Sequence, residues 1–196
     1  STEVWLNAMS ELRFPVVFQG DLREVYLSGE AFFKVKRDET RPFVVKTEWF
    51  DTRVLGTSFN VCAYREASLS HVTLCSGVVR VNDARQPEHV FELVPGEQMV
   101  YKQEDQSMDI HRVDPSIYMA WTTGFFQFEN STLEEVFDIL QRWYRVKVIY
   151  QNDGVRGELF TGKFRRFDNM QIILDLLERV SDLEIEVKEN VIWINK

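Results

Sequence analysis

At 196 residues, with 44% hydrophobic and 28% charged side chains, the chain has the composition of folded globular proteins and room for one large domain or two modest ones. Its formal net charge of -8 arises from 31 acidic against 23 basic residues spread along the sequence, so a nucleic acid would on average be repelled. No run of about 18 apolar residues that could cross a bilayer occurs. Ser1 to Leu6 read as a strand, with neither the basic start nor the apolar centre of a secretory signal, as expected of a piece cut close to its first folded element.

From Val4 to about Arg112 the sequence is written in short alternating segments. Ala31, Phe33 and Val35 share one face against Lys34 and Lys36, and Phe59, Val61 and Ala63 repeat the device against Asn60 and Tyr64. Gly20-Asp21, Ser28-Gly29, Ser76-Gly77, Asn82-Asp83 and Pro95-Gly96 are expected to supply turns. This predicts an all-β unit over 1–113, a sandwich, a flattened barrel or an irregular β-solenoid. Pairing Tyr64 with Leu69 across the polar link Arg65 to Ser68 sets Cys62 opposite His71, so a disulfide between Cys62 and Cys75 needs a different register.

At Asp114-Pro115 the pattern changes. Asp114 can cap a helical segment with Pro115 at its first position, running through Ile117, Tyr118 and Trp121 to a stop at Gly124, and this 114–124 stretch reads as a connector. Phe125 to Phe128 follows as a strand, and Ser131-Thr132-Leu133-Glu134 reads as a capping box opening a helix with Leu133, Val136, Phe137, Leu140 and Tyr144 on one face. Val146 to Tyr150 and Leu159 to Phe164 are strands separated by a loop. A second helix opens at Asp168-Asn169-Met170-Gln171, with Ile173, Leu176, Leu177 and Val180 as its apolar face. Leu183 to Val187 and Val191 to Ile194 end the chain as a hairpin. The expectation for 125–196 is a small α+β domain of β-α-β-β-α-β-β order, with two β-α-β halves packing both helices on one sheet.

Five motifs in order resemble the FecR family: Val25-Tyr26-Leu27-Ser28-Gly29-Glu30-Ala31-Phe32-Phe33-Lys34-Val35, Arg41-Pro42-Phe43-Val44-Val45, Val54-Leu55-Gly56-Thr57-Ser58-Phe59-Asn60-Val61-Cys62-Ala63-Tyr64, Val72-Thr73-Leu74 before Ser76-Gly77-Val78-Val79, and Leu93-Val94-Pro95-Gly96-Glu97-Gln98. Phe125-Gln127-Phe128, Leu133-Glu134-Glu135, Trp143-Tyr144 and Phe160-Thr161-Gly162-Lys163-Phe164 resemble the companion domain found after FecR domains in Bacteroidetes-type proteins, itself similar to the secretin/TonB short N-terminal fold. The resemblance implies the periplasmic part of a single-pass inner-membrane anti-sigma factor. Such a part reads the signalling domain of a TonB-dependent outer-membrane receptor and controls release of an extracytoplasmic-function sigma factor. The sigma factor is held by a cytoplasmic region, and the protein is anchored by a transmembrane helix; neither lies within these residues, so sigma binding maps onto none of them.

The residues themselves point away from chemistry. His71, His89 and His111 fall on separate segments without a second ligand at a metal-like interval. No Gly-x-Ser-x-Gly elbow and no glycine-rich loop before a helix occurs, and the adjacent carboxylates Glu134-Glu135 and Asp38-Glu39 splay apart. No catalytic, metal or cofactor site is therefore expected. The candidate partner-binding residues are Phe160, Lys163, Arg165 and Arg166, where positive charge enters an acidic chain beside a strand that could accept a strand from a partner. The alternative is a carbohydrate- or small-ligand-binding β-domain using Trp5, Trp49 and Trp121.

Overall fold

In the computed structural model, which describes residues 1–196, the alternating stretch resolves into eleven strands: β1 (Glu3–Leu6), β2 (Glu11–Arg13), β3 (Arg23–Lys34), β4 (Phe43–Lys46), β5 (Phe50–Val54), β6 (Ser58–Ala63), β7 (Leu69–Ser76), β8 (Val79–Asp83), β9 (Val90–Leu93), β10 (Glu97–Lys102) and β11 (Met108–Arg112). They join in one sheet of order β11-β10-β7-β6-β3-β4-β5-β8-β9, with β1 and β2 also paired to β3. A solenoid would stack parallel rungs; here every pairing is antiparallel except β3 with β4.

The sheet folds over through β3. The first half of this strand pairs with β4 and β2, its second half with β6 and β1, and the change of partners falls at Gly29. Ser28-Gly29 is thus a bend inside a strand rather than a turn. Gly29 has φ 103°, and Ser10 fills the space a Cβ would need, so only glycine fits without strain. Bent there, both halves of β3 present alternate residues, Val25 and Leu27 then Ala31 and Phe33, to one core. Phe59, Val61, Val72, Leu74, Val79, Val81, Leu93 and Met99 fill it from the neighbouring strands, and Phe33 stacks on Phe59 with ring centroids 5.2 Å apart. Cys62 lies opposite His71, and both cysteines are free thiols.

The chain divides into two compact units, Ser1–Met119 and Ala120–Lys196, and the division falls inside the connecting stretch. Asp114 accepts from the Ser116 amide and opens α1 (Pro115–Met119), which packs on β7 in the first unit. A 3₁₀ turn over Ala120–Thr123 begins the second unit and ends at Gly124, φ 87°.

The second unit continues with β12 (Phe125–Thr132), α2 (Leu133–Tyr144), β13 (Lys147–Tyr150), β14 (Leu159–Arg165), α3 (Met170–Val180), β15 (Glu184–Lys188) and β16 (Val191–Asn195). Its strands form two sheets, not the single one expected: β12 with β14, and β13-β16-β15, in which β13 runs parallel to β16. At the start of α2 the Leu133 and Glu134 amides donate to the carbonyls of Glu158 and Arg156, continuing the contact of β12 with β14 beyond Thr132 and Leu159. Orphan donors of the helix end thereby hold the segment leading into β14, and β14 does not join β13. The capping box is one residue later than expected, with Thr132 as the cap and Glu135 completing it. Leu133, Val136, Phe137 and Leu140 turn inward as the spacing requires, against Phe126, Phe128, Phe164, Ile192 and Ile194. For α3 the expected face is off by part of a turn: Ile173, Leu174 and Leu177 are buried, whereas Leu176 and Val180 are exposed.

Candidate functional site

Strand β14 and the turn after it carry all four candidate residues, and the period-2 alternation sorts them. Phe160, Gly162 and Phe164 face the core of the second unit; Thr161, Lys163 and Arg165 face outward. Phe160 stacks on Phe164, centroids 5.7 Å apart and planes 8° apart, and meets the edge of Phe128 at 6.1 Å. Its ring lies across Gly162, where a Cβ would come within 2.5 Å of ring carbon Cζ. The glycine is what lets two aromatic rings two positions either side of it close on each other. Phe160 is therefore a packing residue and not part of an outward surface.

Arg166 is likewise turned inward. Its guanidinium lies 3.7 Å from the Trp143 ring centroid and 5.6 Å from that of Trp121, an Nη donates to the Trp121 carbonyl at 2.7 Å, and its backbone amide donates to Gly124 at 2.9 Å. It clamps the 3₁₀ turn to α2. Tyr144 fastens the same corner by donating its hydroxyl to the Asp168 carbonyl at 2.7 Å; burial, with the Asp168 charge second, raises that phenol above its ordinary pKa.

Lys163 and Arg165 remain as the exposed cations. The Lys163 ammonium rests 4.6 Å from the Phe125 ring centroid on the neighbouring strand, and Arg165 lies opposite Phe125 in the ladder. Neither makes a salt bridge. β14 pairs with β12 alone, so its other edge has no strand neighbour. On the β12 side a bulge between Phe128 and Ser131 interrupts the ladder, and the Asn130 amide donates to the Thr161 hydroxyl at 2.9 Å. The site is an open, twisted strand edge with two cations on its outward face and no nucleophile, base or acid pair beside it.

The other candidate side chains are spent on packing or lie at the surface. His71 stands 3.4 Å from the Gln98 amide nitrogen and edge-on to Tyr118; His89 and His111 are exposed. Trp49 stacks on Tyr101, Trp121 is buried beneath Arg166, and Trp5 rests on Phe32. Trp49 and Trp121 therefore do not present the free faces a sugar ring would need, while Trp5 stands alone on the surface, 38% exposed.

The model of the FecR protein matches residues 1–80, and that of the FecR C-terminal domain matches residues 125–194. The chain belongs to the FecR family. Two crystal structures of a Parabacteroides distasonis ATCC 8503 protein assigned as an anti-sigma factor, at 1.65 and 2.50 Å resolution, superpose with TM-scores of 0.90 and 0.89. In both the identity is 32%, and the match covers 100% of this chain and 90% of the other. A search of curated proteins gave no match. FecR proteins are membrane-anchored anti-sigma factors with a periplasmic part, so membership points to a regulatory role. No helix of this chain is long and apolar enough to cross a membrane.

Proposed function

We propose that this FecR-family chain is the periplasmic relay of an anti-sigma factor, and that its second unit docks the signalling domain of a TonB-dependent outer-membrane receptor on the free edge of β14. The observation that carries the reading is that edge: unpaired main-chain groups on one side of β14, with Lys163 and Arg165 outward and without salt bridges. A strand added there gains main-chain hydrogen bonds, and the two cations set register and favour an acidic partner. Phe160 and Arg166 serve the same site indirectly, by holding β14 and its following turn in place.

The sigma factor is the regulated partner, bound through a cytoplasmic region outside these residues. The docked chain transmits receptor state by differential affinity: a receptor whose occupied and empty forms bind this edge unequally shifts the anchored protein toward release of the sigma factor. No bond is made or broken by its own side chains in this mechanism.

The test is calorimetric titration of the chain with the N-terminal signalling domain of a receptor encoded beside it. The double variant Lys163→Glu/Arg165→Glu is expected to bind roughly tenfold more weakly, with a steeper loss at low salt, and to keep its melting temperature. Unchanged affinity in the double variant would remove the β14 edge from the interface. Phe160→Ala and Arg166→Ala serve as contrasts, since both are expected to lower stability before they alter binding.

A further inference from the structure

We propose that the second unit also associates with a second copy of this chain, through the outer face of α3. Seven of the eleven residues of this helix are apolar, yet the core takes only Ile173, Leu174 and Leu177 fully. Ile172, Leu176 and Val180 stand 59%, 41% and 60% exposed. Spaced four residues apart, they form one row along about two turns, roughly 12 Å long. Lysine or glutamate at these positions would favour the helix equally and keep it in water, so the apolar choice needs a cover.

The charges beside the row select what that cover is. Asp175 and Arg179 lie one turn apart on the same flank. That spacing suits an ion pair within the helix, but Asp175 instead accepts from the Gln171 side-chain amide at 2.7 Å, and Arg179 makes no salt bridge. The third charge of this stretch, Glu178, is engaged with the Ile185 amide at 2.7 Å. When a second α3 is laid antiparallel about a twofold axis through Leu176, Leu176 meets its own copy and Ile172 meets Val180. In such an isologous contact the same flank faces itself, so each Asp175 comes alongside the Arg179 of the other copy, twice by symmetry. A parallel twofold pair would instead set this flank against the opposite flank of the other copy, the side of Ile173 and Leu177, and leave both charges without a partner across the contact. An anionic lipid surface would meet Asp175 as well as Arg179 and gain nothing.

One row of three side chains per copy is smaller than the roughly 800 Å² per partner of a standard stable interface, so the contact is weak and is read at high protein concentration. Sedimentation velocity of the intact chain over a concentration series is expected to move from monomer toward dimer. Leu176→Glu, at an exposed position that leaves the melting temperature unchanged, is expected to hold the chain monomeric throughout. Arg179→Asp is expected to weaken association a few-fold, and Asp175→Arg/Arg179→Asp to restore it by exchanging the partners. A chain that stays monomeric at every concentration overturns the proposal. So does a dimer indifferent to Leu176→Glu, or to the charge exchange, or Leu176-dependent flotation with phosphatidylethanolamine/phosphatidylglycerol vesicles without self-association. No receptor domain enters this readout, so its failure leaves the β14 reading untouched.

Discussion

Cys75 sits on the outer face of β7 with its sulfur 3.8 Å from that of Met119 on α1, and burial pushes its thiol pKa up to about 11. Because only thiolate reacts, alkylation of native Cys75 by iodoacetamide at pH 8 is expected to be far slower than in denaturant, which peptide mass mapping would read. The sign for stability follows from the same shift. An unfolded thiol loses its proton near pH 8.5, before the folded one, so stability falls as pH rises from about 9 to about 11 and is unaffected by this group below that range. Arg166 is the second residue whose surroundings decide its role. Arg166→Ala is expected to lower the stability of the second unit by about 2 kcal/mol, from the loss of two ring faces and a carbonyl contact, in urea denaturation. In the sequence it is indistinguishable from Arg165 beside it: both are arginines after an aromatic strand. The difference lies in Trp121 and Trp143, which are 45 and 23 positions away and which no local pattern brings together.

At the scale of single elements, α2 and α3 make an instructive pair. For α2 the inward face is read from spacing and the cap to within one residue, because the cap bonds act over three residues and only one face is apolar. Thr132→Ala is expected to cost about 1 kcal/mol by removing the hydroxyl that accepts from the Glu135 amide, measured as a shift in the urea midpoint without a change in slope. α3 is apolar around much of its circumference, so periodicity alone allows more than one inward face. Which face is covered depends on where the sheet β13-β16-β15 and α2 lie. The strand β14 shows the same division. Its alternation separates Phe160 and Phe164 from Lys163 and Arg165, but whether its far edge is paired depends on where the other strands of the second unit lie, and these form a separate sheet.

The whole molecule has two cores that share no residue, one inside the folded sheet of the first unit and one between helices and sheets of the second. Phe59, fully buried and stacked on Phe33, is among the largest side chains of the first core, and Phe59→Ala is expected to cost about 3–5 kcal/mol. Hydrogen exchange checks the location: protection should fall across β3, β6 and β7, which meet at that side chain. The amino-acid sequence by itself determined the strand-rich first part, the change of pattern at Asp114, the helix starts to within one residue, the Cys62–His71 register and the family motifs. All of these rest on interactions within a few residues or on order along the chain. Only the tertiary structure decided that β3 bends at Gly29 to serve both halves of one sheet, that the second unit has two sheets, that Phe160 and Arg166 turn inward, and that a row of α3 is left uncovered. Each of those depends on which distant groups take up a buried donor, ring face or apolar surface, and that competition is resolved only when the whole chain is packed.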